Sequence, residues 1–396
     1  TLMGLDFFRR AIELQDRYRK PGMTFENTMQ TNGTLLDDEW CEFLAANDYL
    51  VGLSVDGPRE LHDAYRVTKS GRGPFDRVMR GLRLLQKHGV EYNILTTVNR
   101  VNADYPLEVY RFLRDEVGTE WIQLIPVVER LDSDGLGLRL EGTHVTDRSV
   151  QPAQFGRFMT TIFDEWVRND VGTVYVQTFE AAVRNWLGLP SGMCVFNEQC
   201  GDALAVEHNG DVFSCDHYVE PDYRLGNLVD TPMVDLIGGD RQRQFGRDKS
   251  ETLPGQCRRC EVRFACHGEC PKSRFAVTDE GEPGLHYLCA GWYQFFTHID
   301  QPVRTMQSLR ERGRPMSDVM AIMRKEQPNL ADQVAAATRN SSCPCGSGRK
   351  TKHCHGGTHP VEPVAPTSYP VVVAEPRPRA RTPNRSTDES LPGSPR

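Results

Sequence analysis

The stretch CRRCEVRFACHGEC, residues 257–270, holds four cysteines in fourteen residues with the spacing C-x2-C-x5-C-x3-C. So dense a set of thiols is typical of a metal site, because Zn²⁺ and iron–sulfur clusters both accept four thiolate ligands. Four further cysteines, three upstream and one after 18 more residues, bring the number to eight, which suits two four-cysteine sites. The spacing leaves zinc and iron–sulfur open as alternatives. The eight residues are Cys194, Cys200, Cys215, Cys257, Cys260, Cys266, Cys270 and Cys289.

The overall composition points away from secreted and membrane proteins. The chain has 396 residues, 12 cysteines and a formal net charge of −7. Disulfides are disfavoured, because clustered cysteines outside small secreted domains more often bind metal. The acidic balance argues against binding to nucleic acid or anionic membranes, and no apolar run reaches the length of about 18 residues that a membrane span needs. We therefore expect a cytoplasmic protein without a membrane or nucleic-acid partner.

Residues 1–189 alternate helical and strand patterns. Apolar residues recur at helical spacing, and short apolar or β-branched runs lie between the predicted helices. Such repeats predict an α/β fold with a parallel sheet, either doubly wound or a closed or partial barrel, with ligands at the carboxyl ends of the strands. No G-x-G-x-x-G follows a predicted strand, which argues against a Rossmann dinucleotide site. The predicted strands are 24–29, 49–55, 90–98, 121–128 and 173–177.

The rest of the chain divides by composition. The eight clustered cysteines lie in turn-rich sequence that includes a predicted hairpin, ALAVEHNGDVFSC, turning at Asn209-Gly210. A helical pattern then returns, and the last residues are rich in Pro, Ser and Arg, which predicts a disordered tail. The predicted domains are 1–189, 190–300, a helical extension at 301–340, a Cys/His motif at 341–357 and the tail at 358–396.

Cys343, Cys345, Cys354 and His355 form the Cys/His motif. Three thiolates and one imidazole are the donor set of a closed tetrahedral zinc site, and the glycines between them permit a tight wrap. The run resembles the SEC-C motif, a zinc-binding module. That resemblance implies one zinc held by these four residues, in a small knob of the kind that mediates interactions.

Further motifs carry a resemblance that covers residues 1 to about 320. The chain is similar to the radical S-adenosylmethionine (SAM) enzymes with a SPASM domain, and within them to the anaerobic sulfatase-maturating enzymes. The segments that carry the resemblance are Gln30-Thr31-Asn32-Gly33-Thr34, Ser54-Val55-Asp56-Gly57-Pro58, His62-Asp63 with Arg66, Ile125-Pro126-Val127-Val128-Glu129, His208-Asn209-Gly210-Asp211, Ser214-Cys215-Asp216-His217 and the cysteine block.

The resemblance implies a partial (β/α)6 radical SAM barrel lacking its first strands, followed by a small cysteine-rich SPASM domain and a zinc-binding tail. It also implies two auxiliary 4Fe-4S clusters. The first thiol set, which would hold one cluster, is Cys194, Cys200, Cys215 and Cys270. The second thiol set, which would hold the other, is Cys257, Cys260, Cys266 and Cys289.

The family's loop for the SAM-binding cluster, C-x3-C-x2-C, does not occur in this sequence, nor does its Gly-Gly-Glu-Pro segment. The latter would end immediately before Thr1. We therefore expect the sequence to be a fragment, with a third 4Fe-4S cluster on a missing N-terminal segment.

The resemblance also implies that Ser54, Arg66 and Val127 contact SAM. Ser54 stands at the end of a predicted strand, where barrel ligands bind. A hydroxyl and a guanidinium can hold ribose and carboxylate groups, and Val127 would pack near the adenine. The alternative is a strand-end serine that caps a turn and an arginine in a surface ion pair.

Asp216, beside the predicted ligand Cys215, is the candidate catalytic base. In the family a carboxylate at this place removes the proton of the substrate hydroxyl or thiol, while an electron leaves toward the auxiliary cluster. The alternative is an acid that only supports a turn or orients a ligand.

The function implied is oxidation of a cysteine or serine in the Cys/Ser-x-Pro-x-Arg segment of a sulfatase to formylglycine. The partners implied are the sulfatase polypeptide and an electron donor such as flavodoxin or ferredoxin. Two alternatives stay open: a SPASM enzyme that crosslinks a ribosomal peptide, and a catalytically inactive metal-binding fragment.

Overall fold

The computed structural model describes residues 1–131, 144–326, 333–334, 337–344 and 349–354. Five parallel strands form the main sheet, in the order β1-β2-β3-β4-β7. Two short strands, β5 and β6, pair antiparallel beside it. The strands are β1 Thr28–Thr31, β2 Leu50–Ser54, β3 Tyr92–Val98, β4 Trp121–Pro126, β5 Arg130–Leu131, β6 His144–Val145 and β7 Tyr175–Val176.

Helices connect the strands of the main sheet, as parallel pairing requires. The helix α5 continues into a π-helical turn, Phe112–Glu116. Within the described residues, none of the helices combines the length and the apolar character that crossing a membrane demands. The helices of this part are α1 Leu5–Tyr18, α2 Asp38–Ala46, α3 Arg59–His62, α4 Phe75–Lys87, α5 Pro106–Arg111, α6 Pro152–Asn169 and α7 Gln177–Trp186.

The α/β fold with a parallel sheet is confirmed, but the first predicted strand was placed too early. The strand starts at Thr28, because Thr28 pairs with Leu50, the first residue of the neighbouring strand β2. Just before it, the Asn27 side chain exchanges hydrogen bonds of 2.8 and 3.1 Å with Gln15 of α1. Residues 24–27 therefore lead from the helix to the sheet and are not part of a strand.

The cysteine-rich part contains small sheets and short helices. The predicted hairpin is present as the antiparallel pair β8–β9, and Gly210 at its turn has φ of 87°, which favours glycine. The predicted domain limit at residue 300 falls inside the long helix α12, and the predicted disordered tail lies outside the described residues. The elements are β8 Ala205–Val206, β9 Asp211–Phe213, β10 Arg224–Asn227, α8 Met233–Ile237, α9 Asp240–Glu251, α10 Gly255–Arg258, α11 Arg263–Cys266, β11 Ala276–Val277, β12 Pro283–Leu285, α12 Cys289–Glu311 and α13 Val319–Glu326.

The helices α6 and α12 cross closely and join the two parts. Gly156 and Gly291 face each other at the crossing, where a Cβ on Gly291 would overlap the Pro152 carbonyl oxygen. The rings of Phe155 and Trp292 pack edge to face beside them, with centroids 4.8 Å apart. Because α12 begins at Cys289, this packing positions a member of the second thiol set.

Candidate metal centre and active site

Ser54 lies at the carboxyl edge of the main sheet, as predicted, and Arg66 reaches the same edge through its contact with Asp56. Ser54 is the last residue of β2, and its hydroxyl has no hydrogen-bond partner among the described residues. Arg66 donates from Nε to Asp56 Oδ2 at 2.6 Å and from Nη2 to Asp56 Oδ1 at 3.0 Å. The predicted alternative of an ion pair is therefore present, but one partner is buried: the Asp56 side chain is 2% exposed and that of Arg66 25%.

Asp56 organises this edge, although it is not among the predicted site residues. Its Oδ1 accepts a 2.8 Å hydrogen bond from the Thr97 N–H, and its backbone carbonyl accepts one of 3.0 Å from Asn102 Nδ2. Its own N–H donates to His62 Nδ1 at 3.2 Å. The available signal was an aspartate directly after a buried strand, in the Ser54-to-Pro58 segment. These contacts fix the direction in which Arg66 points.

Val127 follows β4 and extends the sheet pairing by one step. Its N–H donates to the Val98 carbonyl at 2.8 Å, and its carbonyl accepts from the Val150 N–H at 3.1 Å. The side chain is half-buried. Val127 therefore lies at the same edge as Ser54, since β2, β3 and β4 run parallel.

The eight central cysteines are all free, and their electrostatic neighbours divide them into two groups. Cys270 interacts with Cys215 and Cys194, whereas Cys289 interacts with Cys257 and Cys260. The other thiol pairs follow the same division: Cys200 with Cys194, Cys215 with Cys194, Cys257 with Cys260, and Cys266 with Cys289 and Cys257. The groups coincide with the first and second thiol sets, whose role as ligand sets stays a prediction.

Two sets of four thiols supply the donor number of two four-thiolate clusters. Burial raises the pKa of Cys215 and of Cys270 to about 12, and that of Cys289 to about 11. Free thiols at these sites therefore keep their protons, and a bound metal displaces them. The His217 backbone N–H also donates to Cys215 Sγ at 3.5 Å, the kind of hydrogen bond that stabilises a cluster's sulfur ligand.

Asp216 lies at the exposed side of the first thiol set. Its Oδ1 accepts from Cys215 Sγ at 3.2 Å, and the carboxylate is accessible to solvent. His217 Nδ1 lies 3.4 Å from Cys270 Sγ, so the imidazole connects to a second member of the same set. An accessible carboxylate thus stands next to a candidate cluster ligand.

The Cys/His motif is described in part. Cys343 is buried and its N–H donates to the Arg349 carbonyl at 2.7 Å, which closes a short loop around the motif. Cys354 is half-buried. The other two predicted zinc ligands, Cys345 and His355, lie outside the described residues, so the zinc site stays a prediction.

Three family models match the chain. Residues 1–113 match the Radical SAM superfamily, residues 194–261 match an iron–sulfur cluster-binding domain, SPASM, and residues 339–357 match the SEC-C motif. The first two imply 4Fe-4S clusters and SAM as cofactors. The iron–sulfur alternative for the central cysteines is thereby favoured over zinc.

Similar proteins agree with these models. A serine-type anaerobic sulfatase-maturating enzyme of Bacteroides thetaiotaomicron is 49% identical over 306 residues, which span 76% of this chain and 73% of that protein. A cysteine-type enzyme of Clostridium perfringens is 31% identical over 299 residues, 75% of this chain and 78% of that protein. A solved structure of native anSMEcpe with bound AdoMet superposes with a TM-score of 0.71 at 30% identity, covering 78% of this chain and 82% of the other. The chain therefore belongs to the anaerobic sulfatase-maturating enzymes, the radical SAM oxidoreductases that convert a serine or cysteine of a sulfatase into formylglycine.

Proposed function

We propose that Asp216 is the catalytic base with which this chain oxidises a sulfatase side chain. Oxidising a Cβ–OH or Cβ–SH group to the C=O or C=S level removes two electrons and two protons. When bound, SAM and the clusters supply the one-electron steps, which take a hydrogen atom from Cβ and accept the remaining electron. The remaining proton, on the substrate oxygen or sulfur, needs a base within hydrogen-bond reach.

The contact between Cys215 and Asp216 carries this proposal. It joins a candidate cluster ligand to an exposed carboxylate oxygen over 3.2 Å. A substrate group that transfers its proton to Asp216 therefore stands close to the first thiol set, where the electron is accepted. For a cysteine substrate, water then hydrolyses the C=S group, which releases hydrogen sulfide and gives formylglycine.

We also infer how SAM is held. Arg66 is fixed by Asp56, yet it keeps a quarter of its side-chain surface open, so it can still bind a carboxylate. The Ser54 hydroxyl, without a partner among the described residues, is available to a ribose hydroxyl. Val127 offers apolar surface to the adenine at the same sheet edge.

The substrate we propose is a serine or cysteine within a Cys/Ser-x-Pro-x-Arg segment of a sulfatase. The similarity favours serine, because the Bacteroides thetaiotaomicron relative is serine-type at 49% identity while the Clostridium perfringens relative is cysteine-type at 31%. The solved structure of anSMEcpe with the Cp18Cys peptide supports a peptide as the bound form of the substrate. We further propose a cytoplasmic location and a small electron donor such as flavodoxin or ferredoxin.

The test replaces the base without changing its size. Asp216→Asn, in a form of the enzyme that carries the C-x3-C-x2-C loop, is incubated with serine and cysteine peptides of this motif. We expect formylglycine, detected by mass spectrometry, to be lost, while 5′-deoxyadenosine from SAM cleavage persists. Asp222→Asn, an exposed aspartate nearby in the same domain, serves as the control and keeps full activity. Normal formylglycine formation by Asp216→Asn would refute the proposed base, and a crosslinked peptide product would support the alternative SPASM function.

A further inference from the structure

The segment between Cys266 and Cys270 links the two thiol sets through an unusual backbone. His267, Gly268 and Glu269 have φ of 47°, 70° and 53°, so three consecutive residues are left-handed. Each non-glycine residue in this region costs on the order of 1 kcal/mol. Gly268 has no room for a side chain, because a Cβ there would meet Leu253 and Arg274. Other contacts must therefore hold this segment in place.

Arg274 supplies those contacts with a single guanidinium. Its Nε donates to the Gly268 carbonyl at 2.8 Å, and its Nη2 donates to the carbonyls of His267 and Glu269 at 2.9 and 3.0 Å. Its Nη1 donates to the Lys249 carbonyl at 2.6 Å. All three left-handed residues are thus bound by one side chain, which fixes the path from Cys266 to Cys270.

The charge of Arg274 faces both thiol sets. Burial lowers its pKa, while interactions with Cys257, Cys266 and Cys270 act in the opposite direction. The first two cysteines belong to the second thiol set and the third to the first. Arg274 is therefore a cation shared by both predicted clusters.

Lys249 places a second cation against the first thiol set. The residue is fully buried, and its Nζ donates to the carbonyls of Cys194 and Val195 at 2.6 and 2.9 Å. Within the described part of the chain no carboxylate lies within 4.0 Å of it. Its ammonium interacts with Cys200 and Cys194, so nearby sulfur ligands can balance its charge.

One buried acid partly offsets these cations. Glu269 lies 2.7 Å from His286 Nε2, and its carboxylate also accepts from the Cys270 N–H. His286 Nδ1 accepts from the Leu288 N–H at 3.0 Å, which orients the imidazole beside the glutamate. Fully buried Lys249 and half-buried Arg274 against one carboxylate leave net positive charge between the thiol sets.

We propose that Arg274 is a positioning residue shared by the two cluster sites, and that its charge, together with that of Lys249, raises the reduction potentials of the bound clusters. This inference rests on the two ligand sets proposed above. A cluster with four thiolates carries net negative charge, and reduction adds to it. A buried cation stabilises the reduced form more than the oxidised form, because charges interact strongly where water is excluded.

The experiment measures potentials and does not require turnover. The anaerobically reconstituted chain and its variants are analysed for iron, and both couples are titrated by electron paramagnetic resonance. Cys194→Ser and Cys289→Ser assign the two signals. We expect Arg274→Gln to lower both potentials by about 59 mV or more, which is a tenfold change in the reduction equilibrium of a one-electron couple. Lys249→Met lowers the potential of the first thiol set's cluster more than that of the second.

Two further variants separate charge from geometry. Arg274→Lys keeps the charge but cannot bind three carbonyls in one plane, so we expect the potentials to recover in part while the signals broaden. Arg247→Gln, on the same helix as Lys249 but facing solvent, is the control and leaves both potentials unchanged. If Arg274→Gln keeps its iron and has the same reduction potentials as the parent, the inference is overturned. Loss of iron in both Arg274→Gln and Arg274→Lys would overturn it as well. A parent chain without iron at the central cysteines would instead overturn the ligand sets themselves.

Discussion

The Arg66 guanidinium and the Asp56 carboxylate meet through two hydrogen bonds, of 2.6 and 3.0 Å, at the carboxyl edge of the parallel sheet. Asp56 in turn accepts the Thr97 N–H at 2.8 Å, so the arginine is tied to two neighbouring strands. A side chain fixed in this way loses little conformational entropy when a ligand binds. The pair therefore prepares Arg66 for an anionic group such as the carboxylate of SAM.

Arg66→Lys tests this preparation while keeping the charge. A lysine cannot hold Asp56 with two donors and also reach a ligand, so we expect SAM affinity to fall about tenfold, or ~1.4 kcal/mol. Equilibrium dialysis of SAM against the cluster-loaded enzyme measures the change. The control is Arg59→Lys, in an exposed pair with Asp76, which leaves the affinity unchanged. Equal affinity in both variants would remove Arg66 from the SAM site.

His62 predicts a loss of stability in weak acid. Burial lowers the pKa of His62 to about 4; the nearby Asp56 carboxylate raises this pKa and the Arg66 guanidinium lowers it. In the fold, His62 Nδ1 accepts the Asp56 N–H. The unfolded chain binds this proton below about pH 6.5, whereas the folded chain does not. The contribution of His62 to the free energy of unfolding is therefore fully present above pH 6.5 and is lost as the pH drops toward 4. Between pH 7 and pH 5 the free energy of unfolding falls by about 2 kcal/mol.

Urea unfolding at pH 7 and pH 5 measures this difference. His62→Asn retains an acceptor near the Nδ1 position but cannot titrate, so the pH dependence should shrink by that amount. His208→Asn, whose parent side chain is 90% exposed, keeps the full dependence. The same slope in His62→Asn as in the parent would show that other groups cause the acid sensitivity.

Local patterns predicted the fold well, and contacts between distant segments explain what they missed. The strands β2 and β3 contain consecutive buried residues, whereas β4 alternates buried Ile122 and Leu124 with more exposed residues, so local apolar patterns located all three. By contrast, Lys249 lies in a helix of strongly polar sequence and looks like an ordinary surface residue until α9 folds against the Cys194 loop. Arg274 binds carbonyls five to seven residues upstream, which no spacing rule marks. The thiol sets were named by resemblance, because interleaved ligands from distant segments cannot be paired from spacing.

Gly291 predicts a packing limit at the crossing of α6 and α12. A methyl group in Gly291→Ala would overlap the Pro152 carbonyl oxygen and lie 3.1 Å from the Gly156 nitrogen, and neither backbone atom can move alone. We expect a loss of about 2 kcal/mol or more from this overpacking. Thermal unfolding followed by circular dichroism measures it, with the exposed Thr297→Ala of the same helix as a control that stays within about 0.5 kcal/mol of the parent. A fully stable Gly291→Ala would mean that the two helices can separate freely.

The Cys/His motif predicts one zinc that is independent of the central iron. Arg349 of the motif pairs with Asp104 of the barrel part at 2.9 Å, a partly exposed contact of the kind worth at most about 1 kcal/mol. Because so weak a contact does not couple the two metal sites, Cys343→Ser should lose the zinc and keep the iron, both counted by elemental analysis. Loss of iron together with zinc would show that the motif supports the central domain.

The thiol sets predict that the two central clusters can be removed one at a time. Cys194→Ser weakens the first set and Cys289→Ser the second, so each variant should keep about four of about eight irons after anaerobic reconstitution. Cys41→Ala is the matched control, because Cys41 is a buried cysteine of α2 in the hydrophobic core and belongs to neither thiol set, so this variant should keep all of the irons. The remaining cluster in each variant should retain its visible absorbance, since Cys289 is held in α12 and the Cys194 carbonyl is held by Lys249 of α9, through separate contacts. If one substitution emptied both sites, the two sets would not be independent. Arg274 would then be the contact to examine first, because its carbonyl bonds tie Cys266 to Cys270.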